Sequence, residues 1–283
     1  MASRSVYRIH HSTRQIISAA FVQNGSPGGA GAASGGLWKT TDGGLHWKPI
    51  FDDQPVSSIG ALAVAPSHAN IAWVGTGEPF IRSNISLGWG VWRSTDAGKS
   101  CTKMGLENTG RISRIVVHPT NPDIVYVAAL GHAYGPQPER GIYRGMDAGK
   151  TWERVLFVND STGASDLVMD PNNPRILFAG TWQVEIHTWG RTSGGAGSGI
   201  WMRLTGSGLP TKPIGKIGLA MSKANSNRID ALIETGDGVP AVNLADPAVC
   251  ARLLDHGAGK LPRLGDRDLW PWILDHGRHY ENP

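Results

Sequence analysis

The chain has 283 residues, 40% hydrophobic and 18% charged, with a net charge of +4. That is a globular composition rather than a disordered one, and it lacks a run of ~18 apolar residues that could span a membrane as a helix. Lys and Arg are scattered, which sets nucleic acid aside as a partner; Cys101 and Cys250 make neither a disulfide framework nor a structural zinc site.

Gly (38) and Pro (18) are in excess without a collagen period, which predicts many turns between short strands. From the N-terminus, residues 1–33 read as an irregular segment. Arg4, Arg8 and Arg14 precede the short apolar run 16–22 in the manner of a signal peptide, but without a clear cleavage site. Next come three related stretches, GLWKTTDGGLHWKPI (36–50), GVWRSTDAGKSCTKM (90–104) and GIYRGMDAGKTWERV (141–155). Each opens on Gly, an apolar residue and an aromatic. Each places an Asp two residues before a Gly, as Asp42/Gly44, Asp96/Gly98 and Asp147/Gly149; three residues after that Gly stands Trp47, Cys101 or Trp152.

A second column repeats every 52 or 53 residues, in 61–76, 114–129, 166–181 and 218–234. In the first three an apolar run meets Pro66, Pro119 or Pro171, and seven residues later Trp73, Tyr126 or Phe178 sits in another apolar run. In the fourth, Lys223 and Asp230 hold those places. Each unit thus predicts four short strands: two from this column and two flanking the Asp turn. A small twisted sheet cannot bury both faces alone, so the units must stack, and tandem four-stranded units of this length predict β-propeller blades.

The pattern Ser/Thr-x-Asp-x-Gly-x-x-Trp resembles the Asp box of BNR-repeat propellers, including the bacterial sortilin-like and glycosyl hydrolase-like proteins. Thr40, Asp42, Gly44 and Trp47 match it fully; Ser94, Asp96 and Gly98 match it with Cys101 for Trp; Asp147, Gly149 and Trp152 match it with Gly145 for the hydroxyl residue. The resemblance covers about 34–236. It implies an all-β propeller with structural rather than catalytic Asp turns, no cofactor, and a protein of exported type. An aspartate in a tight turn accepts backbone N–H bonds and pins the turn, which gives the same structural reading.

The match breaks at both ends. The fourth unit, GIWMRLTGSGLP (199–210), lacks its Asp turn. Residues 237–283 form a non-repeat tail with two helix-like pieces, 246–256 and 266–276, each opening on Asp and closing before Gly. About four blades with non-matching ends predict an incomplete ring whose open edges favour self-association.

The loops between the second and third strands of each unit are long: 77–90, 130–141 and 182–199. They carry Arg82, Trp89, His132, Tyr134, Arg140, Trp182, His187, Trp189 and Arg191, aromatics beside cations suited to a glycan or polypeptide ligand. Asp52, Asp53, Glu78, Glu107, Asp160 and Glu185 are the acids available to a glycoside hydrolase, although no spacing singles out a pair. Tyr7-Arg8-Ile9-His10 resembles a sialidase Arg motif without its Pro, and no spacing of His, Cys or acids matches a metal site. Arg114 and Asp166 hold equivalent positions in neighbouring units and predict a structural ion pair. The residues thus support a non-catalytic binding propeller, with a xyloglucanase-like hydrolase or a fragment without activity of its own as the alternatives.

Overall fold

A computed structural model describes residues 16–21, 28–32, 34–42, 44–80, 85–202, 214–225 and 228–235. The chain divides after Gly236, and every described residue lies in the first unit. The tail 237–283, the stretch 203–213 that follows the fourth unit's third strand, and the motif at Tyr7–His10 lie outside the described residues.

The repeat unit folds as one antiparallel meander. The first sheet is β1 (Ile16–Phe21), β2 (Gly28–Ala32), β3 (Gly36–Thr40) and β4 (Lys48–Pro49), paired in that order. The second is β5 (Ile59–Ala65), β6 (His68–Thr76), β7 (Val91–Ser94) and β8 (Thr102–Lys103). The third is β9 (Ile112–Val117), β10 (Val125–Ala129), β11 (Gly141–Gly145) and β12 (Glu153–Leu156). In the fourth, β13 (Thr162–Met169) pairs with the long β14 (Leu177–His187), which pairs in turn with β15 (Gly190–Ser193) and β16 (Gly199–Met202). The hairpin β17 (Ile214–Met221) and β18 (Ile229–Thr235) is the inner half of a fifth. These are blades of a β-propeller.

Two expectations change. Residues 16–21 and 28–32, read as irregular, are paired strands that complete the first sheet. The sequence hides β1 because its apolar run reads in the manner of a signal peptide, and β2 because GGAGA carries no alternation. Small residues are required there: a Cβ on Gly31 would lie 2.4 Å from Ile59 Cγ2 on the next sheet. The stretch 182–199, read as a loop, is a hairpin in which Val184 pairs with Ser193 and His187 with Gly190.

The hydrophobic cores lie between sheets, as stacking demands. Leu37 and Phe51 of the first sheet and its exit loop meet Ile59, Val74 and Trp92 of the second. Trp73 and Val91 meet Ile112, Ile115, Val117, Val125 and Val127 of the third. Ala128 and Ile142 meet Ala164, Leu167 and Ala179 of the fourth. Ile214, Ile217 and Leu219 of the fifth pack with Phe178 and Ile200. Burying a single large apolar side chain of this kind contributes about 1.5–3 kcal/mol.

Polar bonds join the first strands at the same period. Ser113 Oγ donates to Ala164 O at 2.6 Å, and Ser165 Oγ to Ile217 O at 2.8 Å. Arg114 Nε donates to Asp166 Oδ1 at 2.7 Å, and Asp166 Oδ2 accepts from the Leu219 amide at 2.7 Å. Arg114 and Asp166 are the structural pair that their equivalent positions predict. Each first strand packs on the first strand of the next sheet; among the described residues the fifth shows no comparable packing on the first sheet, in keeping with an incomplete ring.

Candidate functional site

The meander puts the Asp turns at one end of the sheets and the second-to-third-strand connections at the other. At the Asp turns, hydroxyl and carboxylate interlock. Thr40 Oγ1 donates to Asp42 Oδ1 at 2.8 Å and accepts from the Gly44 amide at 2.9 Å. Ser94 Oγ repeats this with Asp96 Oδ1 and the Gly98 amide, both at 2.8 Å. Asp96 also accepts from the Lys99 and Ser100 amides and from Ser100 Oγ at 2.6 Å. Asp147 accepts from the Thr151 amide and hydroxyl. These donors hold all three carboxyls below the usual carboxylate range; the leading contributions are the His46 amide for Asp42, Ser100 Oγ for Asp96 and Thr151 Oγ1 for Asp147. Gly44, Gly98 and Gly149 supply the left-handed backbone that closes each turn, with φ of +99°, +81° and +81°.

The aromatic after the turn is tied in differently each time. Trp47 Nε1 donates to Gly44 O at 3.0 Å. Trp152 reaches the preceding sheet, donating to Met104 O at 2.6 Å and meeting Trp73 edge-on with ring centroids 6.3 Å apart. Cys101 holds the corresponding place on the second sheet as a free thiol, and burial pushes it up to about 11.

At the opposite end the connections interlock. Thr76 Oγ1 donates to Gly90 O and accepts from the Trp89 amide, both at 2.7 Å, which ties the base of 77–90. Gly88 N donates to Gly110 O, and Ile186 N to Ala133 O. Gln137 Oε1 accepts from the His132 amide at 2.6 Å while its Nε2 donates to Asn108 O.

Arg140 is fully buried at the centre of these contacts. Its guanidinium donates to Ser161 O at 2.7 Å, Val184 O at 3.2 Å, His132 O at 2.5 Å and Gly135 O at 3.0 Å. Desolvation lowers it to about 10, opposed by Glu185 and reinforced by Arg111. Trp182 is also buried, and its indole donates to Ser193 Oγ at 3.0 Å. Ser193 Oγ in turn donates to Glu234 Oε2 at 2.8 Å, which fastens the hairpin to the fifth sheet. The expectation that Arg140 and Trp182 meet a ligand is therefore corrected: they are struts, because a cation and an indole N–H among unpaired carbonyl and hydroxyl acceptors satisfy backbone groups that water cannot reach.

Three of the expected aromatic residues are open on this rim. Trp189 is 85% exposed, Tyr134 59% and Trp89 42%. His187 stacks on Trp189, centroids 5.0 Å apart and planes 7° from parallel. The Lys103 ammonium lies 3.8 Å from the centre of the Trp89 ring. Arg191 is exposed on β15, and Arg82 lies outside the described residues. His132 is half-buried, and burial followed by the nearby Arg111 lowers its pKa. Phe80, exposed in the connection after β6, and the fully buried Arg111 were missed by sequence reading. Arg111 stands where the 3₁₀ turn Glu107–Thr109 meets β9, and it donates to Gly131 O at 3.3 Å; nothing in its local pattern signals burial.

The acids do not converge on one element. Asp52 and Asp53 are exposed between β4 and β5, and Asp160 is exposed between β12 and β13. Glu78 is fully buried after β6. Glu185, on β14, lies 3.9 Å from His187 Nδ1. Glu107 pairs with Lys103 at 3.2 Å. Among the described residues no group of His, Cys, Asp and Glu could hold a metal ion, and no helix is long and apolar enough to cross a membrane.

No family model matches the chain, and no curated protein matches it. Among solved structures it is similar to an ancestral GH74 enzyme, with a TM-score of 0.55 at 16% identity over 79% of this chain and 29% of that one. The GH74 xyloglucanase from Xanthomonas campestris aligns with a TM-score of 0.43 at 12% identity, over 79% of this chain and 44% of its own. YCF48 bound to D1 peptide aligns with 0.41 at 17%, over 65% and 58%. At 16% identity the likeness to the ancestral enzyme is one of fold, the β-propeller. The chain spans less than a third of the ancestral enzyme's length.

Proposed function

We propose that this chain is a non-catalytic binding propeller of the Asp-box, sortilin-like kind, which takes a glycan or polypeptide on the rim of second-to-third-strand connections. The observation that carries this reading is the open aromatic set Trp89, Tyr134 and Trp189, standing on connections whose bases are locked by buried polar bonds. Exposed rings on a rigid base offer flat apolar faces at low ordering cost. The flat His187–Trp189 pair extends one of these faces. A hydrolase is the second reading, since glycoside hydrolysis needs two carboxyls about 5–9.5 Å apart across a cleft and no sequence spacing singles out such a pair.

The test is binding of the full chain to glycan and peptide arrays, followed by titration of the strongest hit. Trp89→Ala, Tyr134→Ala and Trp189→Ala remove exposed rings and leave the cores intact. Each is expected to weaken binding by about tenfold, in line with aromatic anchors elsewhere. Unchanged affinity in the triple variant would remove the rim from the account. Release of reducing ends from xyloglucan, abolished by changing two of the acids, would replace the binding reading with the hydrolase one.

A further inference from the structure

Arg111 and Arg140 immediately precede β9 and β11, and both are fully buried. Their surroundings differ. Arg140 gives its two terminal nitrogens to four carbonyl oxygens. Arg111 gives only Nη1, to Gly131 O at 3.3 Å; its Nε and Nη2 meet no acceptor among the described residues. Glu78, also fully buried, attracts Arg111 through space, but its carboxylate is a partner of neither nitrogen. Arg111 and Arg140 repel one another.

The two unserved nitrogens of Arg111 belong together. Nε and Nη2 form one edge of a planar guanidinium and aim two N–H bonds the same way, the fork that matches two oxygens of a planar oxyanion. Buried donors are rarely left without an acceptor, and a charged group so left costs more than a neutral one. Arg140 shows that the chain can serve an enclosed guanidinium with its own carbonyls, yet it does not do so on this edge of Arg111. Arg93 and Arg144 also have a buried Nε without a partner, but their guanidiniums already pair with Asp123 and Glu153.

We propose that the Nε–Nη2 edge of Arg111 holds a small planar oxyanion of the formate or bicarbonate kind, enclosed where the start of β9 meets the 130–141 connection. Each of two oxygens accepts one N–H bond. The negative charge offsets that of Arg111 and eases its repulsion with Arg140. Burial lowers the pKa of Arg111, but an arginine side chain stays charged. Because both nitrogens are closed to solvent, the acceptor is a free ion taken up as the connections fold over it, not a group carried on a polymer. Binding of that kind shows as stability. This site stands whether or not the aromatic rim binds a polymer.

The experiment is thermal unfolding of the full chain in formate from zero to about 20 mM, with ionic strength held at about 0.15 M by sodium chloride so that general screening is constant. A saturable rise in melting temperature of roughly 3–6 °C is expected. Arg111→Lys, which keeps the charge and removes the fork, should lose that rise. Arginine Nε–H resonances in ¹⁵N–¹H spectra of the native chain locate the ion without any variant: one is expected to shift in step with the rise while the others stay in place. A melting temperature that ignores formate, an equal rise in Arg111→Lys, or native-chain Nε–H resonances that all stay in place or all shift alike would overturn the proposal.

Discussion

Asp42, Asp96 and Asp147 occupy one turn in three versions, and their differences define what each partner contributes. Thr40 and Ser94 place a hydroxyl between carboxylate and glycine amide, whereas Gly145 leaves that position empty. Gly145→Ser is expected to supply the missing bond. A Cβ there would lie 3.3 Å from Gly149 Cα and 3.4 Å from Trp152 Cζ3, contacts a small shift relieves, and the other two turns already carry a Cβ at this position. A gain of about 0.5–1 kcal/mol by urea denaturation is the outcome that fits. The same carboxyls set an acid limit. Their pKa values are lowered on folding, so the stability they contribute is complete above the unfolded Asp value of about 3.9 and lost as pH falls through the folded values. Melting temperature should hold steady from pH 7 to about 5 and fall below about 4. Asp96→Asn should flatten that fall; an unchanged slope would mean the turn carboxylates do not control it.

At the scale of the element, Trp152 shows how one blade is joined to the one before. It donates across to Met104 O and meets Trp73, which is fully buried and lies edge-on to it. Trp152→Ala should cost about 2–3 kcal/mol, below the 3–5 kcal/mol of a fully buried Trp→Ala change, because the ring is only partly enclosed. Urea midpoints at constant m-value would measure it, and a loss under 1 kcal/mol would mean the blades are held elsewhere. The sequence placed the Trp at a fixed step from the Asp turn but not its reach to the preceding sheet, since Trp47 at the same step bonds within its own turn. The paired inner strands were readable, because apolar runs flank a Pro and a polar turn. The hairpin of β14 and β15 was not, because the glycines at 190, 194 and 195 read as a loop, although Trp182, Val184 and Ile186 alternate with polar residues as a strand would. β2 escaped for the opposite reason: its small residues carry no pattern, and Gly31 fits a close approach to Ile59. On the rim, residue type distinguished neither the buried Arg140 from the exposed Arg191 nor the buried Trp182 from Trp189, since which carbonyls face each side chain is decided by the packing of neighbouring sheets.

At the scale of the molecule, the repeats are held by cores that no sheet owns alone. Each lies between two sheets, with the seryl and carboxylate bonds of β9, β13 and β17 running the same way. Neighbour-only packing of this kind couples each sheet to the next, so the set is expected to unfold as one body. The most direct measurement is thermal unfolding of the full chain followed in parallel by tryptophan fluorescence, which reads Trp73, Trp92, Trp152 and Trp182 in or beside the cores, and by far-UV circular dichroism. The account predicts a single sharp transition, superimposable by the two probes. Broad drift, or two transitions at separate temperatures, would contradict it and mean that the sheets do not form a cooperative propeller in this chain.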